Sequence, residues 1–297
     1  MKKRWLLNLG LLVLVAGLVA FLYLRPKAEV EEKAKYEVSQ LKLAGILAAK
    51  IEFPAKAPVS FEKLDGFWRM TAPYKMRADQ LSVQRILSVI AATSENKFPK
   101  ADLAKFGLDN PSVKLTLTDE GGDKTFVFGT YNSVTNQQYV SYKDGVYLLG
   151  AHYSEAASTQ PIEMIDKNIL SPDEMKQVSG LDLSHLEQWE EAALNVDLEK
   201  GQWKTNVPKA KPTQNDMNEW LEFSWKQNPA KSVETYTPDR NATYPSLEIK
   251  LESDKRIHID KVMEAPELLL ARPDEGLIYH YSNDVGFNML NPPLNLK

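Results

Sequence analysis

The chain contains no cysteine. That absence excludes disulfides, thiol nucleophiles, thiolate zinc sites, iron–sulfur clusters and a lipid-modified N-terminal cysteine. It leaves the compartment open, because such a protein folds in reducing and oxidising surroundings alike. Histidine is scarce: His152, His185, His258 and His280 are the only four, and none recurs at an interval such as H-E-x-x-H. No G-x-S-x-G nucleophile elbow occurs. The stretch Gly121-Gly122-Asp123-Lys124-Thr125 lacks the spacing of a phosphate-binding loop and reads as a hairpin turn between strands. An excess of positive charge is missing too. The formal charge is −4, and with Lys2, Lys3, Arg4 and Arg25 set aside the rest of the chain carries −8. A surface of that sign repels phosphate backbones, so nucleic acid is not an expected partner.

What the sequence does have is one long apolar run. Trp5 to Leu24 reads WLLNLGLLVLVAGLVAFLYL, with Asn8 its single polar interruption. As a helix rising about 1.5 Å per residue it would span roughly 30 Å, the thickness of a hydrocarbon core. Lys2, Lys3 and Arg4 precede it, which places the N-terminus on the cytoplasmic side. The run continues through Tyr23 and Leu24 into Arg25-Pro26, where a signal peptide would end in small residues, so an uncleaved anchor is expected. Residues 1–25 are thus the cytoplasmic tip and transmembrane anchor. Residues 26–44, charged and rich in helix formers, form a stalk or linker.

The remainder carries an internal similarity. VSFEKLDGFWRMTAP from Val59 aligns without a gap on LNVDLEKGQWKTNVP from Leu194, matching Gly66 with Gly201, Trp68 with Trp203 and Pro73 with Pro208. Asp79 and Thr213 follow as N-cap residues, whose side-chain oxygens accept free backbone N–H groups of a first helical turn. Val83, Ile86, Leu87 and Ile90 then lie on one helical stripe, as do Met217, Trp220 and Leu221, with Ser224 closing the second. Alternating strands come next: Val113, Leu115 and Leu117 match Leu247, Ile249 and Leu251. Each stretch ends in a hairpin, QQYVSYKDGVYLLG and ELLLARPDEGLIYHY, with Gly145 and Gly276 expected to supply the positive φ of the turn.

This ordered recurrence predicts an α+β fold: the transmembrane helix followed by two tandem repeats, each an antiparallel sheet covered by a helix. The repeats are placed at 45–165 and 181–297, joined by a linker at 166–180. Each is expected to run strand, strand, helix and three or four further strands, with a short helix near Ala101 to Phe106.

The DGFWRMTAP segment, the helix opened by Ala78-Asp79, FGLDNP from Phe106 to Pro111 and the later Phe128-Gly129 together resemble the bacterial family called domain of unknown function 4340. The resemblance covers most of the first repeat and the second more loosely. It implies a membrane-anchored envelope protein, with an association of some relatives with ABC-type exporters. It brings no catalytic residues to carry over.

No catalytic, cofactor-binding or metal-binding residue is assigned, and no cofactor is expected. Trp68 and Trp203 read as buried anchors beside glycine turns, while Trp225, off the helical stripe, is expected at an interface between halves or with a partner. In RIHID, His258 shares the solvent face with Arg256 and Asp260. Glu187, Glu190 and Glu191 read as a solvated acidic cluster. The first functional expectation is a non-enzymatic accessory or scaffold protein, single-pass in the inner membrane, with its soluble part on the periplasmic side. Its partners would be other envelope or membrane proteins, an ABC-type transporter among them. The alternative is a periplasmic binding module for lipid, glycan or an exported substrate, and the third an enzyme without a recognisable motif.

Overall fold

The computed structural model describes Gly10 and residues 14–21, 35–239 and 241–295. Residues 14–21 are helical, and Leu14, Val15, Leu18, Val19 and Phe21 are each more than half exposed. Among the described residues no helix is long and apolar enough to cross a membrane. The rest of the expected anchor, and the expected stalk as far as residue 34, lie outside the described residues. The last part of the stalk interval is built into the fold: Tyr36–Glu37 (β1) pairs antiparallel with Thr93–Ser94, and Val38 is buried.

The architecture is mixed α/β, dominated by antiparallel sheets with few helices. Strands β2 (Ala48–Phe53), β3 (Lys56–Leu64), β4 (Phe67–Ala72) and β5 (Met76–Arg77) precede helix α1 (Gln80–Leu87). After it come β6 (Thr93–Ser94), β7 (Lys97–Pro99), β8 (Val113–Asp119), β9 (Gly122–Asn132), β10 (Gln137–Tyr142), β11 (Gly145–Gly150) and helix α2 (His152–Ala157). Nine of these strands form one sheet in the order β5-β4-β3-β2-β8-β9-β10-β11-β7. The chain then makes helix α3 (Pro172–Gln177), β12 (Val178–His185), β13 (Asn195–Glu199), β14 (Gln202–Thr205) and helix α4 (Gln214–Trp220). It ends with β15 (Ser232–Thr235), β16 (Ser246–Leu251), β17 (Arg256–Met263), β18 (Glu267–Arg272), β19 (Leu277–Ser282) and helix α5 (Asn283–Leu290). The second sheet runs β14-β13-β12-β16-β17-β18-β19-β15.

Local chemistry sets the two principal helices. The Asp79 carboxylate accepts the Ser82 N–H and the Thr213 hydroxyl accepts the Asp216 N–H, each satisfying a donor that a first turn leaves free. Val83, Ile86 and Leu87, and likewise Met217 and Trp220, face the core. Strand alternation holds as read: Val113, Leu115, Leu117, Leu247, Ile249 and Leu251 are all buried. The turns at Asp65-Gly66 and Lys200-Gly201 have positive φ at both residues, the geometry that matches the twist of flanking strands. At the β10–β11 turn the positive φ falls on Lys143 and not on Gly145, whereas Gly276 takes it as expected.

Strands β2 and β12 and helix α5 are among the elements that were not anticipated. Strand β2 precedes the hairpin read from Val59, and β12 starts inside the interval expected to be a linker. Gly180 disguised the latter. It sits in mid-strand because an added Cβ would lie 2.6 Å from Asp197 Oδ1 and 2.8 Å from the Val196 carbonyl oxygen. Helix α5 was hidden by Gly286, where a Cβ would come within 2.5 Å of the Leu268 side chain. A close approach to the sheet there outweighs the roughly 1 kcal/mol that glycine costs inside a helix.

One apolar core cluster includes residues of both sheets together with Met164, Ile165, Ile169 and Leu170 of the joining segment. Burying side chains of this size contributes about 1.5–3 kcal/mol each. The interval expected to be a linker is therefore packed.

Candidate functional site

The joining segment is stitched to both sheets through its backbone. The Asp79 N–H donates to the Met164 carbonyl at 2.7 Å, the Asp166 N–H to the Arg77 carbonyl at 3.0 Å, and the Ala230 N–H to the Lys167 carbonyl at 2.9 Å. Ala78 and Ile165 form a β-bridge. These bonds bring β5, at the edge of the first sheet, against the turn between β18 and β19 of the second.

Two arginines occupy that junction. Arg77 ion-pairs with Asp166 and donates from Nε to Glu275 at 3.0 Å, and from Nη2 to the Asn168 carbonyl at 2.7 Å and to the Tyr279 hydroxyl at 3.2 Å. Arg272, 1% exposed, donates from both terminal nitrogens to Glu174 at 3.0 and 3.1 Å. It also holds Asp274 at 2.7 and 3.1 Å and the Ile169 carbonyl at 2.7 Å. Planar guanidinium forks match carboxylates bidentately, which makes these pairs directional as well as charged.

Electrostatics follow from the pairing. Burial alone would push the Glu174 carboxyl up, but the hydrogen bonds and charge of Arg272, with help from Ser171, hold it down at about 2. Burial would likewise lower both guanidinium pKa values, yet the facing carboxylates raise them further into the always-charged range. The Tyr279 phenol is pushed up, first by burial and then by Glu275, to which it donates at 2.6 Å. Tyr281 is also raised by burial, and its hydroxyl has no hydrogen-bond partner among the described residues. In this cluster the carboxylates of Asp166, Glu174, Asp274 and Glu275 are all engaged by arginine. Its chemistry is that of a clamp: removing one partner would strand buried charges.

Sequence signals for the clamp were partial. Leu268, Leu270 and Arg272 share one parity of β18, so an arginine stands where a buried apolar residue is due. Ser171-Pro172-Asp173-Glu174 is a capping box, and the Glu174 that completes it also receives Arg272. Nothing local marks Arg77, Asp166 or Glu275.

The residues singled out from sequence are dispersed. His258 lies exposed on β17 beside Asp260, while its neighbours Ile257 and Ile259 are buried. His152 opens α2, whereas His280 lies within β19 near Glu234 and Glu267. Glu187 ion-pairs with Lys261, and Glu190 and Glu191 are exposed. Among the described residues no group of three or more His, Asp or Glu side chains is placed to hold a metal. Glu120-Gly121 forms the β8–β9 turn, and Gly122 opens β9.

Trp68 and Trp203 are each 5% exposed, as anchors should be. Both are held by a glutamine that opens the following helix. Gln80 accepts the Trp68 N–H at 2.9 Å and donates to its carbonyl at 3.0 Å; Gln214 does the same to Trp203 at 2.6 and 2.9 Å. Trp225 departs from its expected interface position: it is 1% exposed and donates its indole N–H to the Met289 carbonyl at 3.2 Å. Trp220 and Trp189 donate likewise to Asn288 and Leu290, at 2.7 and 2.8 Å. Three indoles thus satisfy the carbonyls at the C-terminus of α5, which have no intrahelical partners.

The FGLDNP segment is also structural. Phe106 and Leu108 are buried with Val146 in a small second core, and Gly107 has φ +64 with Thr130 packed so closely that no side chain fits. No curated protein and no solved structure matches the chain significantly. The sequence pattern described as Domain of unknown function (DUF4340) matches residues 68–240, more than half of the chain, from the first anchoring tryptophan across the clamp segment, and the chain belongs to that family.

Proposed function

We propose that the protein is a membrane-anchored, non-enzymatic accessory or scaffold protein of the cell envelope, built from two copies of one sheet-and-helix unit. The observation that carries this reading is the Arg77–Arg272 clamp, which spends its charged groups on fixing one sheet to the other. A rigid pair of related faces suits holding a partner better than turning over a substrate. The duplication is supported by the matched placement of hairpin, cap, glutamine lock and tryptophan on either side of the joining segment. It is supported too by the sheet orders, in which β12 sits between β13 and β16 as β2 sits between β3 and β8.

The anchor rests on the apolar run Trp5 to Leu24 and on the outward-facing Leu14, Val15, Leu18 and Val19, a surface suited to lipid. The partner class is another envelope or membrane protein, an ABC-type transporter included. Crosslinking in intact membranes, followed by affinity purification and mass spectrometry of the full chain, tests it. Recovery of a defined membrane-protein partner supports the reading. A C-terminal alkaline phosphatase fusion that is inactive, or a mature soluble form beginning after Leu24, would remove its anchored topology.

A further inference from the structure

A second feature of the junction lies apart from the clamp. A cleft of about 460 Å³ opens between the start of α1, the end of α2 and the first residues of β15. Arg85, Lys167 and Lys231 line it, and among the described residues none of the three makes an ion pair or a side-chain hydrogen bond. They come from three separate segments. The Ala230–Lys167 backbone bond ties together the two segments that bring Lys231 and Lys167 to the cleft lining. The Asp284 carboxyl, lowered first by the Ser282 hydroxyl, feels Lys231 only as a lesser cause.

Two carboxylates share the lining. Asp79 accepts the Ser82 N–H as a helix cap and keeps its charge, so with Glu163 two carboxylates stand among three cations. The concavity is therefore net positive on a chain whose remainder past Arg25 is acidic. Cations gathered in a concavity without ion-pair partners favour the entry of an anion. The Ser82 and Ser232 hydroxyls add donors, and Leu81, 61% exposed, adds an apolar wall.

We infer that this cleft binds a phosphate group carried by a small or amphiphilic molecule. A phosphate monoester has about −1.5 to −2 charges at neutral pH and three acceptor oxygens, and a diester headgroup keeps one charge and two such oxygens, so either form suits cations flanked by hydroxyls. The exposed leucine suits a ligand whose phosphate is joined to a carbon skeleton. The inference does not depend on the scaffold reading, because none of the three cationic side chains takes part in the clamp's bonds.

The test is calorimetric titration of the full chain in non-ionic detergent with three probes: inorganic phosphate, glycerol 3-phosphate, and mixed micelles containing phosphatidylglycerol, with phosphatidylcholine micelles as control. Saturable binding of a phosphate probe is expected, weakened about tenfold or more by the double substitution Lys167→Gln/Lys231→Gln and by Arg85→Gln, as loss of charge-assisted contacts implies. Lys176→Gln, on a surface pair remote from the cleft lining, should leave affinity unchanged. Binding of inorganic phosphate or glycerol 3-phosphate identifies a soluble ligand, and binding of phosphatidylglycerol micelles alone identifies a lipid headgroup. Absence of saturable binding to all three, equal binding to phosphatidylcholine, or unchanged affinity in the double variant would overturn the assignment.

Discussion

After the hairpin β3–β4 the chain adds an edge strand, β5, before entering α1; after β13–β14 it reaches α4 through residues 206–213 with no strand at all. Both halves lock their tryptophan with a glutamine, but only the first extends its sheet edge and so delivers Arg77 to the junction. The helices also end differently. Past Leu87 the first tightens into a 3-10 turn that buries Val89 and Ile90, while past Trp220 the second widens into a π turn over Leu221–Lys226. A wider turn advances fewer degrees per residue, which returns Trp225 toward the stripe of Met217 and Leu221. The second half needs that tryptophan because it ends in α5, whose carbonyls would otherwise be buried without partners. The lesson is that the two halves share their local locks and differ where each must satisfy a neighbour.

The junction offers the strongest test. Arg272→Ala would leave Glu174 and Asp274 without their buried partner and should cost about 3–5 kcal/mol of unfolding free energy in urea denaturation. Arg77→Ala should cost less than Arg272→Ala, since its site is more exposed, and should lower the cooperativity between the halves. Equal small losses at both would mean the clamp is not what joins them. Trp68→Ala and Trp203→Ala should each cost about 3–5 kcal/mol, the range for large aromatics in cores. The bond that Trp203 also donates from its indole N–H to Asn218 at 2.8 Å should add little to its loss, because Asn218 is exposed and water can replace the donor. Losses under about 1 kcal/mol at both would contradict their burial.

Gln80→Ala and Gln214→Ala should cost about 1–3 kcal/mol apiece, each freeing a backbone N–H and carbonyl in the partly buried hairpin. Near-equal losses would sharpen the likeness of the two halves, and a loss at one site alone would break it. The last test concerns acid. Glu174 sits at about 2 in the fold against an ordinary 4.5, so its contribution is complete above 4.5 and disappears as pH falls through about 2. Unfolding midpoints measured down that window should drop in the native protein, and Glu174→Gln should flatten the drop.

Much of the local structure was legible in the sequence because its causes lie within a few residues. Asp79 and Thr213 cap helices by contacts three residues away, and alternation along Val113–Leu117 or Leu247–Leu251 follows from strand geometry alone. The elements that escaped were those whose defining contact is distant. Gly180 and Gly286 look like breakers until Val196 and Leu268 are seen against them. The phosphate cleft was invisible for the same cause, since Arg85, Lys167 and Lys231 share no period or motif.

Taken alone, the sequence determined the apolar N-terminal run, the two capped helices, the hairpin turns, the burial of Trp68 and Trp203, and the residues that carry the family resemblance. Short-range sterics and hydrogen bonding dictate the local elements among these, and the large apolar area of an indole favours its burial. Only the tertiary structure decided that Arg77 meets Glu275 across 198 positions, that Trp225 turns inward to Met289, and that the joining segment is packed. Those outcomes turn on which buried polar groups find partners, and a partner's identity is settled by the packing of whole sheets, not by its neighbours in the chain.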